Sequence, residues 1–139
     1  MSVTTVNKTV PLPCSIARLK PSQRGARAET LACEFLVNHG LAFTARNYRT
    51  RRGEIDLIMQ AWDCIVFVEV KYRKNNKFGT AEASITKGKS QRMILAAQEY
   101  LISNGYLEDQ DIRFDAVLLS ESNGATENCT IKWIRNILS

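Results

Sequence analysis

Glu69 and Lys71, an acid and a base two positions apart in the otherwise apolar run VFVEVKYR, are the most chemically loaded feature of this sequence. The run is rich in β-branched and aromatic residues and reads as a strand. The two-residue pleat then puts Glu69 and Lys71 on one face and Val66, Val68 and Val70 on the other. Charges in such a strand are costly unless they have partners or a task. A second acid, Asp56, stands upstream in GEIDLI. If the two runs form a hairpin closed on Trp62-Asp63, Asp56 falls directly opposite Glu69, with Cβ atoms about 4.5 to 5.5 Å apart, where like charges repel. A divalent cation resolves that repulsion. Carboxylate oxygens are the hard ligands that magnesium or manganese prefers, with water and substrate phosphate filling the remaining positions. A blander reading competes, in which Lys71 simply neutralises both acids in a partly exposed ionic cluster. The same register puts Glu54 opposite Lys71 as an ordinary cross-strand pair.

Other chemistries have less support. The one histidine, His39, stands at an apparent helix end, and a lone histidine is more often a packing or surface group than a catalyst. Cysteines 14, 33, 64 and 129 form neither a CxxC pair nor a disulfide or zinc spacing, which points to a reducing, cytoplasmic compartment. The longest strongly apolar stretch, Cys64 to Val68, is far below the roughly 20 residues of a membrane-spanning helix, so no membrane partner is expected.

The elements that must position these residues follow from periodicity. The chain of 139 residues suits one domain. Residues 1–21, polar and broken by Pro11 and Pro13, are expected to form a flexible tail, with the domain over 22–139. From Gly25, Ala28, Leu31, Ala32, Phe35 and Leu36 recur at helical spacing until Asn38-His39-Gly40 stops them, and Glu29 lies on the border of that apolar stripe. Strands are expected over Leu41–Tyr48, Glu54–Gln60 and Cys64–Tyr72, closely enough spaced for an antiparallel meander. A second helix runs from about Ile85 to Ile102 with Lys87, Lys89 and Arg92 at its entry, and Asn104-Gly105 ends it. Strands over Ile112–Ser120 and Thr130–Ile137 complete an α-β-β-β-α-β order with one extra edge strand. Phe67 and Trp133 read as core residues, whereas Tyr72 and Phe78 beside the active strand stay open.

Charge is unevenly distributed. From Arg18 to Arg92 there are 15 Lys and Arg against 7 Asp and Glu, and from Met93 onward 3 against 7. A basic block within a folded chain fits a polyanion-facing surface, although a solvated face with no ligand has the same composition. Arg46, Arg49, Arg51 and Arg52 fall on a turn between the first two strands, Arg73, Lys74 and Lys77 on a later loop, and Lys87 and Lys89 at the second helix. Such residues hold a phosphate backbone without reading its sequence.

Several ordered motifs together resemble a known family. GEIDLI followed by VFVEVKYR resembles the D…ExK signature of the PD-(D/E)XK nuclease superfamily, with Ile55 standing where the motif's name has proline. GARAETLACEFL, ARNYRTRRGEIDLI, RFDAVLL and WIRNI, spanning about residues 22 to 137, are similar to the YraN-like bacterial family, whose members resemble archaeal Holliday-junction resolvases. The resemblance implies a restriction-endonuclease-like α/β fold, a mixed sheet flanked by helices. It implies Asp56 and Glu69 as carboxylate ligands of magnesium or manganese, with the Val70 carbonyl as a third oxygen. Lys71 would orient or activate the attacking water, and Glu29 would be the acid brought from the first helix. It also makes a homodimer an option, since resolvases commonly pair, although no dimer surface is legible in the sequence.

The function expected is magnesium-dependent hydrolysis of DNA phosphodiesters, in branched or repair intermediates. The alternative is a nucleic-acid-binding module that keeps the fold without hydrolytic activity. A weaker third reading is an adaptor whose acidic C-terminal half binds a protein.

Overall fold

In the computed structural model, which describes residues 5–11, 16–73, 87–121 and 128–138, the β-branched runs pair into one six-stranded mixed sheet. The chain order is β1 (Thr5–Pro11), a 3-10 turn (Ile16–Arg18), α1 (Pro21–Asn38), β2 (Ala42–Arg49), β3 (Glu54–Ala61), β4 (Cys64–Arg73), α2 (Lys87–Ser103), β5 (Ile112–Glu121) and β6 (Asn128–Ile134). The sheet order is β1-β6-β5-β4-β3-β2. β2, β3 and β4 form the expected antiparallel meander, and β4 then pairs in parallel with β5. A parallel pair needs a crossover connection, and α2 lies within it.

Alternation along β4 assigns the two helices to opposite faces. Val66 and Val68 pack with Leu31, Ala32, Phe35 and Leu36 of α1, whereas Ile65 and Phe67 pack with Met93, Ala96, Ala97 and Tyr100 of α2. The result is a helix-sheet-helix arrangement of the restriction-endonuclease-like kind. Among the described residues no helix is long and apolar enough to cross a membrane.

Both helices end the same way. Gly40 (φ +97°) donates to the Val37 carbonyl and Leu41 to the Leu36 carbonyl, each at 3.1 Å. Gly105 (φ +72°) and Tyr106 repeat the pattern on Ile102 and Leu101. Glycine at the left-handed position lets the last carbonyls find donors. At its other end α1 begins at Pro21, four residues before Gly25, because proline's fixed φ suits the first turn of a helix.

Two expectations are corrected. Residues 5–11, placed in a flexible tail, form an edge strand against β6, and β6 is therefore an inner strand. β6 also ends at Ile134, not Ile137: Asn136 turns to φ +62° and Ile137 donates to the Phe114 carbonyl at 2.7 Å. Asp115 organises that corner. Fully buried, it accepts from Arg113 Nε (2.9 Å) and Nη2 (3.0 Å), Trp133 Nε1 (2.9 Å) and the Asn136 N–H (2.9 Å). The motifs RFDAVLL and WIRNI thus meet in a structural network, and a buried carboxylate with four donors is compensated.

Candidate active site

The site lies where two strands part. β3 and β4 pair in the expected register from Ala61↔Cys64 to Leu57↔Val68, and the ladder stops there, one step short of Asp56 and Glu69. β3 nevertheless begins at Glu54, and β4 continues along β5 to Arg73. In the fork the Val70 N–H donates to Asp56 Oδ2 at 2.8 Å instead of to a strand carbonyl. The Asp56 carboxylate is thereby fixed beside the peptide that follows Glu69. Glu69 itself is only 1% exposed. Since Val68 and Val70 pack toward α1, Glu69 and Lys71 alternate onto the α2 face.

A local twist explains the aim of Asp56. Leu57 and Met59 join the core under α1, but Ile55 joins the core under α2, so the alternation of β3 breaks at Asp56. The neighbouring strand breaks with it: Arg46 reaches α1, while Tyr48 packs edge-on against Tyr100 of α2. The ladder pairs Arg46↔Leu57 and Tyr48↔Ile55 flank Asn47, which has φ +55°. Asparagine is among the few residues that tolerate this left-handed conformation.

Glu29 arrives from α1. Arg46 Nε donates to its Oε1 at 3.2 Å, and the same guanidinium donates to Thr30 Oγ1 at 2.9 Å and to the Ala26 carbonyl. Burial pushes the Glu29 carboxyl above its usual range, the Asp56 charge pushes it further, and Arg46 and Asn47 oppose both. Glu29 and Asp56 therefore share one electrostatic neighbourhood.

The donor chemistry fits a hard divalent cation, because Asp56 and Glu69 offer only oxygen. Among the described residues no three Asp, Glu, His or Cys groups close into a ready cage.

The basic residues divide. Arg46 is committed to α1. Arg49, Arg51 and Arg52 surround a cavity of 300 Å³ whose lining also includes Thr50, Gly53, Glu54 and Arg92. Glu54 lies 3.7 Å from Arg49 and pairs with it across β2 and β3, which corrects the expected partnership with Lys71. Arg73 is exposed at the end of β4. Lys74, Lys77 and Phe78 lie outside the described residues, as do the side chains of Lys87 and Lys89. Asn47, Gly53 and Arg92 were missed as site-forming residues. Their only sequence signals were an asparagine inside a strand and a glycine after three arginines.

His39 stays outside the site: its ring packs 4.2 Å from Phe35 and 5.9 Å from Trp133, with Nδ1 2.8 Å from the Phe35 carbonyl. Cys33 and Cys64 are free thiols whose pKa burial raises, which weakens them as nucleophiles. Tyr72 packs against the α1 core.

A family model described as uncharacterised protein family UPF0102 matches residues 28–119, a span that holds Glu29, Asp56, Glu69 and Lys71. A UPF0102 protein of Nitrosococcus oceani is 44% identical over 121 residues, covering 85% of this chain and 95% of the relative. One from Nitrosomonas europaea is 49% identical over 113 residues, covering 81% and 91%. One from Saccharophagus degradans is 44% identical over 117 residues, covering 84% and 93%.

Proposed function

Because this chain belongs to the UPF0102 family, a description that names no reaction, its chemistry has to be read from the site, and we propose that it is a metal-dependent endonuclease hydrolysing DNA phosphodiesters. The observation that carries this reading is the fork itself. β3–β4 pairing ends at Leu57↔Val68, one step before Asp56 and the buried Glu69, where the Val70 N–H holds the Asp56 carboxylate and Glu29 of α1 lies within its electrostatic reach.

Asp56 and Glu69, with the Val70 carbonyl, would hold magnesium or manganese, which supplies positive charge against that developing on the phosphoryl oxygens. Val70, through its N–H, keeps the Asp56 carboxylate in place before any ligand arrives. The Lys71 ammonium stands on the same face as Glu69, where it orients water for in-line attack and stabilises the phosphate in the transition state. Glu29, with its raised pKa, is suited to exchange a proton with water at the edge of the site. The basic turn and helix entry hold the backbone. DNA as substrate implies a cytoplasmic protein, in keeping with the free thiols of Cys33 and Cys64.

The test is cleavage of linear, flapped and four-way DNA with magnesium or manganese. Asp56→Ala and Lys71→Ala are each expected to lower the rate by about 10² to 10³, the usual cost of one transition-state group. Cutting retained by both variants would end the assignment. A second reading, a binding module with the same fold, is favoured by the arginine-lined cavity beside Glu54. It predicts salt-sensitive DNA binding without cleavage.

A further inference from the structure

The cavity beside the fork calls for an occupant. Four guanidinium-bearing residues, Arg49, Arg51, Arg52 and Arg92, line it against a single carboxylate, Glu54. Among the described residues that carboxylate meets Arg49, at 3.7 Å and largely in solvent, so it neutralises little. Cations gathered in a concave wall focus positive potential into the space between them.

The wall is built rather than fluid. Thr50 ties the turn together: its N–H donates to the Gly53 carbonyl at 2.8 Å, and its Oγ1 accepts from the N–H groups of Arg52 (3.0 Å) and Gly53 (3.1 Å). Gly53 then sits so close to α2 that a Cβ there would lie 2.0 Å from the Arg92 carbonyl oxygen. Only a residue without a side chain lets the turn and the helix meet, and their meeting encloses the cavity.

Its position links it to the chemistry. Glu54, on the cavity wall, and Asp56 lie in one strand two residues apart, about 7 Å at a rise of ~3.4 Å per residue, so a nucleic-acid strand held at Asp56 would pass the cavity. Arg92 belongs to α2, which covers the face onto which Glu69 and Lys71 alternate. A volume of 300 Å³ is at the small end of ligand cavities and suits one phosphate with its sugar.

We infer that this Arg49-Arg51-Arg52-Arg92 cavity seats a phosphate group of the bound strand, beside the position at which Asp56 would act. The inference rests on the nuclease reading for its choice of strand, and it is tested separately from cleavage. Planar guanidinium groups match phosphate oxygens in pairs, which a lysine cannot do.

The experiment is anisotropy of a labelled single-stranded DNA oligonucleotide on the full chain, with chelator present, over a series of salt concentrations. For single strands the slope of log K against log salt is about −0.7 per phosphate contacted. Arg92→Gln, and Arg51→Gln combined with it, should each reduce the slope by about 0.7, the loss of one phosphate. Gly53→Ala removes no charge but drives the turn off the helix, and should lower the slope equally, with its melting curve showing that it is folded. If Gly53→Ala does not fold, the arginine variants decide alone. Glu34→Gln, at an exposed acid of α1 outside the cavity, should keep the wild-type slope.

A wild-type slope in Arg92→Gln and in the double variant overturns the inference, whether or not the protein cuts DNA. So does an equal loss in Arg18→Gln, an exposed arginine outside the cavity, which would mean a diffuse charge effect. Inorganic phosphate that binds the chain in an Arg92-dependent manner without displacing the oligonucleotide would also overturn it, by making free phosphate the ligand. A slope that falls as stated in a protein that never cleaves leaves the cavity standing and removes the nuclease reading.

Discussion

At the scale of single residues, the carboxyl groups carry different burdens. Glu29 has its pKa raised by burial and then by Asp56. A folded-state value above the unfolded one means that the native protein binds the proton more tightly, so stability falls as pH climbs from the ordinary carboxyl value of 4.5 toward the raised one. Above that window the whole penalty is present. Glu29→Gln should therefore flatten the decline, which urea midpoints taken on both sides of the window will read. Asp115 is a buried acid whose two oxygens accept four hydrogen bonds. Asp115→Ala strands the Trp133 N–H and the Arg113 guanidinium, and should cost about 3 to 5 kcal/mol in chemical denaturation.

At the scale of elements, the glycines separate two kinds of cost. At Gly105, φ is +72° and nothing lies within 4 Å of an added Cβ. Gly105→Ala pays only for the left-handed backbone, about 1 to 2 kcal/mol in a urea titration. At Gly53 the backbone is unremarkable and space is the problem, so Gly53→Ala should lose about 1 to 3 kcal/mol through overpacking, read from the same titration. The hairpin of β3 and β4 was legible because a two-residue connection leaves a single register, and every residue from Leu57 to Val68 obeys it. The helix ends were legible because Gly40 and Gly105 are local signals. The β1 edge was not: its partner β6 lies at the other end of the chain, and the run VNKTV lacks an apolar alternation strong enough to announce a strand. Neither was Asn47, whose left-handed turn has meaning only once Arg46 and Tyr48 are seen to face opposite helices. Arg92 looked like one more cation at a helix entry, because its contact with Gly53 joins residues far apart in sequence.

At the scale of the whole molecule, the central feature is the nine-pair parallel ladder from Ile65↔Ile112 to Arg73↔Ser120, between strands whose connection contains α2. Closing such a long loop is entropically expensive before any contact is gained. The β3–β4 hairpin needs no such closure and is the first part that can form. Val117→Ala, in the buried middle of β5, should accordingly slow refolding in stopped-flow fluorescence, whereas Gly53→Ala should mainly speed unfolding. The site therefore has a history as well as a geometry. Asp56 and Glu69 are brought near each other early by a local hairpin, and Arg92 joins Gly53 only when the crossover has shut. A chain caught midway would have the β3–β4 hairpin paired and the contact between Gly53 and Arg92 still unmade, so the arginine-lined cavity is a product of the finished domain and not of the hairpin alone.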